Sequence, residues 1–292
     1  MKQTRRSPAT KISAVVSDVD GTLVNENKLL TARAIAAVAA LHARGINFTI
    51  VSSRPTRGLQ MLLAPLQIKR PFGSFNGGMI TMPDLLSVGE RLLSPDVARR
   101  AIDMLDARGV QAWVFAGQEW FVRDVRGAHV AHEEHTVGFG PRVVADFGPF
   151  LDVCAKIVGA TDDFDLLAQC EREVAAALAG QASATRSQLY YLDITHPLAN
   201  KGVFLSEVAE LMAVPLAEVA VIGDGGNDVM MFERSGLSIA MGNAAHEVQQ
   251  AADFVTASNR EDGFAQAIER FILSGDRARA PIEINGAGER PW

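Results

Sequence analysis

Val15-Val16-Ser17-Asp18-Val19-Asp20-Gly21-Thr22-Leu23 is the stretch on which the reading of this chain turns. A short apolar run, Ile12 to Val16, leads straight into two carboxylates spaced i, i+2 and then Gly-Thr. Residues two apart on a strand point to the same side, so Asp18 and Asp20 can converge on one spot. Gly21 lets the backbone turn where a side chain would obstruct it. Two acids at the carboxyl end of a buried strand are costly unless something positive sits between them, and a divalent cation meets that need. The same letters also fit a polar turn after a strand, so the reading depends on partners downstream. A calcium loop is excluded by spacing: the sixth and twelfth positions from Asp18 hold Leu23 and Leu29 where Gly and Glu are required.

Working outward, Thr31 to Gly45 has a capping Thr, apolar residues at helical spacing (Ile35, Val38, Leu41) and a terminal Gly. The strand Ile46 to Val51 follows and ends in Ser52-Ser53-Arg54-Pro55. Strand, helix and strand in this span predict a βαβ unit with a parallel pair, and ligands collect at the carboxyl ends of such strands. Ser52 then stands at the same end as Asp18, although a hydroxyl there also serves as a helix cap. Residues 55–66 read as helix. Asn76-Gly77-Gly78 follows a short strand, and is either a hairpin turn or a border of the same cleft. Parallel-sheet alternation resumes at Thr195. Asn200-Lys201-Gly202 opens a helix over Val203 to Met212, and the apolar strand Val219 to Ile222 runs into Gly223-Asp224-Gly225-Gly226-Asn227-Asp228. Further helices and strands continue to a closing helix, Phe264 to Leu273.

Between these halves the pattern changes. Residues 86–191 carry helices at Pro95–Arg108 and Phe164–Leu178 and strands at Val110–Phe115, Trp120–Arg123, Asp152–Val158 and Ser187–Ile194. Hairpins without strict βα alternation predict a separate α+β domain inserted into the first. The expected organisation is thus a core of residues 1–85 and 192–292, a cap of residues 86–191, and hinges near Asp84–Leu86 and Thr195–Ala199. His129, His132 and His135 beside Glu133 and Glu134 fail the zinc pattern, since Thr136 stands where the second His is needed, and read as a solvated face.

The 292 residues are 48% hydrophobic and 21% charged, the balance of a soluble globular chain. A net charge of −6 gives no basic footprint, so nucleic acid is not an expected partner. Cys154 and Cys170 have no ligand spacing and read as reduced thiols of a cytoplasmic protein. No apolar stretch is long enough to span a bilayer, so no membrane is expected. Met1–Thr10 and Ser274–Trp292 read as mobile tails.

Asp18/Asp20, Ser52, Lys201 and Asp224/Asn227/Asp228 thus gather at one sheet edge. Magnesium takes oxygen ligands, keeps several waters and is held by one or two carboxylates plus a phosphate. Asp18 and Asp224 are the first candidates to hold it, with a carbonyl near Asp20 and with Asn227 and Asp228 acting through water or by orienting Asp224. Lys201 supplies a point charge and Ser52 a hydrogen bond to phosphate, beside Arg54, Asn76 and Gly77. Asp18 would be the nucleophile, and Asp20 the acid and base for the leaving oxygen and for water.

These four pieces, DVDGT, the hydroxyl before Ser53-Arg54-Pro55, NKG and GDGGND, resemble in order the four motifs of the haloacid dehalogenase-like superfamily. The chain is most similar to its Cof-type sugar-phosphate phosphatases, which carry a large α/β cap between the second and third motifs. Ser53 stands where that family often has Gly. The resemblance implies a Rossmann-like core, Mg²⁺, and a small phosphate ester as substrate. A sugar phosphomutase and a non-catalytic phospho-sugar sensor are the alternatives. Within the cap, the strands around Trp113 and Trp120, with Arg123 and Arg126, are the expected readers of the leaving group.

Overall fold

The computed structural model describes residues 11–276. The expected mobile tails, Met1–Thr10 and Ser274–Trp292, therefore lie outside the described residues, apart from Ser274–Asp276. In chain order the elements are β1 (Ala14–Ser17), α1 (Ala32–Ala43), β2 (Asn47–Ile50), a 3-10 turn (Thr56–Leu59) running into α2 (Gln60–Leu63), then β3 (Phe72–Ser74), β4 (Met79–Thr81) and β5 (Ser87–Glu90). There follow α3 (Pro95–Ala107), β6 (Gln111–Ala116), β7 (Glu119–Val122), α4 (Val130–Val137), β8 (Arg142–Val143), β9 (Cys154–Ala160), α5 (Phe164–Ala177), β10 (Ser183–Gln188) and β11 (Tyr191–Thr195). The chain closes with α6 (Lys201–Leu211), β12 (Val219–Gly223), α7 (Val229–Phe232), β13 (Leu237–Ala240), α8 (His246–Ala251), β14 (Phe254–Val255) and α9 (Gly263–Ala267).

β1 is apolar throughout because both of its faces are covered. Val15 packs into the layer that α1 and the closing helix share, and Ala14 and Val16 pack toward α6 and α7. The core sheet is parallel, in the order β14-β13-β12-β1-β2. From β1 the chain proceeds to β2 on one side, while β12 lies on the other. The order therefore reverses at β1, and the crevice beyond the carboxyl ends of β1 and β12 is the place where such sheets bind ligands. α1 is held as its sequence suggests: Thr31 Oγ1 accepts from the Ala34 N–H at 3.1 Å, and Gly45 follows with φ +70°.

The second sheet, β10-β11-β9-β6-β7-β8, has two unlike faces. One buries Val114, Phe121, Ile157, Leu192 and Ile194 against α3 and α5. The other carries Trp113, Phe115, Trp120, Val122, Val158 and Tyr191 and packs with Phe75 and Met79 of the core side. This sheet is the inserted cap, and its second face looks down on the core. Two strand pairings bear on where the sheets begin and end. β5 pairs back onto β4, which keeps residues 87–90 with the core side, and β11 runs to Thr195 within the cap sheet. The expected strand Ser187–Ile194 is two strands, β10 and β11, joined across Leu189-Tyr190. β10 reads SATRSQ, a polar edge strand without the alternation that reveals a half-buried one. Residues 55–66 contain only the 3-10 turn and the four-residue α2.

Candidate active site

Each piece of the site is delivered by a strand end or a helix start. Asp18 follows β1, Asp224 follows β12, and Lys201 is the first residue of α6, whose N-cap Asn200 accepts from the Val203 N–H at 2.9 Å. The Lys201 ammonium, 1% exposed, donates to Asp18 Oδ1 at 2.5 Å and to Asp228 Oδ1 at 2.6 Å. The second oxygen of Asp228 accepts from the backbone N–H groups of Asp224 and Gly225 at 3.0 and 2.8 Å. Asp228 is therefore a clamp that fixes both the lysine and the loop carrying Asp224. Thr22 Oγ1 donates to Asp224 Oδ1 at 2.9 Å, and Asn243 Nδ2 donates to Asp224 Oδ2 at 3.2 Å and to the Gly21 carbonyl at 2.9 Å. Gly21 has φ +83°, and a Cβ there would stand 2.2 Å from Asp224 Oδ2. Both the turn and the approach of the two loops require glycine at this position.

Asp18, Asp224 and Asp228 each offer an oxygen within 4.8 Å of the others. Three carboxylates face the single ammonium of Lys201, which leaves two negative charges unmatched when all are ionised. Burial pushes the Asp18 carboxyl well above the usual range, Lys201 pulls it back, and the charges of Asp228 and Asp224 push it up again. Burial and then the charge of Asp228 raise Asp224 in the same way. Burial works to lower Lys201, but Asp18 and Asp228 outweigh it and hold the lysine above its ordinary value. An oxygen-lined pocket with this excess of charge fits a divalent cation.

The Asp20 side chain does not share that pocket. Its carboxylate is gripped by Arg54 through Nε and Nη2, both at 2.7 Å, and by Lys28 Nζ at 2.8 Å. Burial acts to raise its pKa, yet the hydrogen bonds and charge of Arg54, then of Lys28, hold the carboxyl below its ordinary value. Alternation brought Asp18 and Asp20 to one end of the strand, but the turn at Gly21 and the guanidinium give their carboxylates different partners. Ser52, 1% exposed, lies at the end of β2 and its Oγ accepts from the Arg54 N–H at 3.1 Å. Asn76, with φ +58°, donates its N–H to the Ser52 carbonyl at 2.8 Å and accepts from Asn227 Nδ2 at 2.9 Å. Asn227 is thus tied to the opposite side of the cleft. Gly77 packs on α6, where a Cβ would meet Phe204 Cβ at 2.4 Å.

The structure separates the expected cap readers: the two tryptophans lie in the core-facing layer, the two arginines outside it. Trp113 and Trp120 are both fully buried, and Trp120 Nε1 donates to the Phe139 carbonyl at 3.1 Å. They build the cap's apolar layer, where large aromatics contribute area and a buried N–H needs a partner. Arg123 pairs with Asp106 at 2.6 Å and lies over Phe147, on the α3 side of the cap sheet and away from the core. Arg126 pairs with Asp124 at 3.0 Å in solvent. The His129 ring stacks on Tyr190 at 4.1 Å and contacts Asp162 at 2.9 Å. Its helix, α4, covers the 56–59 turn of the core, with Gly58 so close that a Cβ would meet the Val137 carbonyl at 3.2 Å. Among the described residues no helix is long and apolar enough to cross a membrane.

Residues 15–268 match the sequence model of the haloacid dehalogenase-like hydrolases. The chain belongs to that family. A 5-amino-6-(5-phospho-D-ribitylamino)uracil phosphatase of Bacillus subtilis is 25% identical over 292 residues, covering 91% of this chain and 100% of the relative. A haloacid dehalogenase-like hydrolase of Bacteroides thetaiotaomicron superposes with a TM-score of 0.83 at 30% identity, over 90% of this chain and 100% of that one. A subclass IIB sugar phosphatase of the superfamily shares the fold, with a TM-score of 0.77 at 23% identity over 90% of this chain and 99% of that one. The chain is accordingly an enzyme of the phosphatase class.

Proposed function

We propose that this protein is a Mg²⁺-dependent phosphatase that hydrolyses small cytoplasmic phosphate monoesters with hydroxylated leaving groups, sugar phosphates or related metabolites, through an aspartyl phosphate on Asp18. The observation that carries this reading is the buried Asp18–Lys201–Asp228 array beside Asp224 at the sheet's reversal point. The names of the relatives, a ribitylamino-uracil phosphatase and a sugar phosphatase among them, support the substrate class. Asp18, Asp224 and Asp228 would hold the cation, with Asn227 and the backbone near Asp20 at its border; when bound, it screens the charge of the phosphate from the carboxylates.

An oxygen of Asp18 attacks phosphorus, the ester P–O bond breaks, and Asp20 gives its proton to the departing alkoxide. Water then attacks phosphorus, Asp20 takes the proton, and inorganic phosphate leaves with Asp18 restored. Lys201 orients Asp18 and favours its ionised form before attack, against the effect of burial. Ser52, Arg54 and the backbone at Asn76 and Gly77 border the phosphate. In the resting site Asp20 is a carboxylate held by Arg54 and Lys28. The dianionic phosphate competes for those cations, and a carboxyl freed from them beside a dianion accepts the proton that it later donates.

The test is release of inorganic phosphate from a hexose 6-phosphate by the purified protein. Release with Mg²⁺, loss with a chelator and poor rescue by Ca²⁺ are expected, since Ca²⁺ prefers longer bonds and more ligands. An isomeric sugar phosphate without free phosphate would identify a phosphomutase instead. Binding without any turnover would identify a sensor.

A further inference from the structure

The cap buries two charges on the face that looks at the core, and they have poor partners. Lys156 on β9 and Asp193 on β11 are 5% and 7% exposed, within the layer built by Trp113, Phe115 and Tyr191. Buried charges are ordinarily retained only with close, saturating hydrogen bonds. Here Lys156 Nζ stands 3.4 Å from Asp193 Oδ2 and 3.5 Å from the Ser53 carbonyl, with the Phe115 ring centroid at 4.9 Å. Asp193 Oδ1 is buried and has no hydrogen-bond partner. The contact to Ser53 places the ammonium over the loop between Ser52 and Arg54, directly above the phosphate end of the site. Glu133 on α4 approaches the same space. Burial raises its carboxyl, and the charges that reach it are those of Lys156, Asp193, Asp20 and Arg54.

We propose that Lys156, Asp193 and Glu133 form the leaving-group subsite, which binds the hydroxyls of an uncharged polyol or sugar and rejects a second phosphate or carboxylate. This rests on the phosphatase reading and names the substrate class within it. A hydroxyl both donates and accepts, so one hydroxyl can accept from Lys156 while donating to Asp193 Oδ1, which completes both groups. A second phosphate only accepts, and it would bring negative charge against two carboxylates and one ammonium. The apolar layer around the trio excludes water and so strengthens each of these bonds. A site built to hydrogen-bond hydroxyls discriminates strongly against ligands that lack them, because its own polar groups are then left unpaired.

The experiment compares kcat/KM for a hexose 6-phosphate, a hexose 1,6-bisphosphate and an activated aryl phosphate, in the wild type and in Asp193→Asn, Lys156→Met and Glu133→Gln. In the wild type the monophosphate should exceed the bisphosphate by about tenfold or more. Asp193→Asn and Lys156→Met should lower the hexose value about 10- to 100-fold more than the aryl value. Glu133→Gln should narrow the gap between monophosphate and bisphosphate. Thermal melting of each variant accompanies the kinetics. Should Asp193→Asn fail to fold, the half-buried Glu133 still decides the matter, because its effect is on selectivity. Parallel losses on all three substrates, or an unchanged ratio in Glu133→Gln, would overturn the subsite while wild-type turnover of the aryl phosphate upheld the phosphatase reading. No wild-type turnover of any ester would overturn both.

Discussion

Lys201 and Lys156 are both buried, 1% and 5% exposed, yet their surroundings differ in kind. Lys201 sits between two carboxylates at 2.5 and 2.6 Å, one of which also clamps the Asp224 loop. Lys156 has one carboxylate at 3.4 Å and one carbonyl at 3.5 Å. The first is part of a finished charge array, set in place before any substrate arrives. The second is an unfinished one, and only something that enters the cleft can complete it. In the proposed function, core and cap thus divide the work: fixed phosphoryl chemistry below, adjustable recognition above.

This contrast has a stability signature. Lys201→Met strands Asp18 and Asp228 as neighbouring buried carboxylates, and should cost about 3–5 kcal/mol, the range for breaking a buried ion pair by removing one partner. Lys156→Met breaks one long ion pair and leaves Asp193 buried without it, and should cost less, about 1–3 kcal/mol. Denaturant unfolding in chelator measures both, and equal losses would erase the distinction.

A smaller effect concerns Asp20. Arg54 and Lys28 hold its folded pKa below the ordinary value despite burial. Such a group contributes stability that is fully present above its unfolded pKa, near 3.9, and is lost as pH falls through the lower folded value. The stability gap between wild type and Asp20→Asn should therefore be constant above about pH 5 and shrink below about pH 4. Urea midpoints in chelator at a series of pH values test this. A gap that widens on acidification would mean that Asp20 is held protonated instead.

Much of the core was legible because parallel strands buried on both faces write themselves as apolar runs, and their carboxyl ends carried unusual residues. Asp18, Ser52 and Asp224 follow that rule, whereas Lys201 is marked by the helix start that Asn200 caps. Asn243 obeys it too, following β13 in Met241-Gly242-Asn243, but one amide after a strand carries no charge signal. Lys28 and Thr22 reach the site through turns, which have no period to read. The cap was harder for a physical reason. Trp113 and Trp120 are as compatible with an apolar layer as with a ligand platform, and the choice depends on which face the sheet turns to the core. Lys156 lies in CAKIVGA and Asp193 in YLDIT, each a lone charge in an apolar strand. That was the available signal, since a buried central strand seldom carries a charge without a use for it. Glu133 reads with its neighbouring histidines as a solvated face, because local spacing cannot show that α4 covers the 56–59 turn of the core.

In the proposed mechanism, phosphoryl transfer passes through Asp18, with Asp20 moving the proton. It is tested most directly by quenching Asp20→Asn in acid during turnover of an activated aryl phosphate and locating any phosphoryl group by peptide mass spectrometry. The account predicts a phosphorylated peptide containing Asp18, because formation needs little acid help with a good leaving group while hydrolysis lacks its base. It also predicts no such peptide in Asp18→Asn, whose turnover should fall more than about 10³-fold. Phosphate found on Ser52, or an Asp18→Asn variant turning over near the wild-type rate, would contradict it.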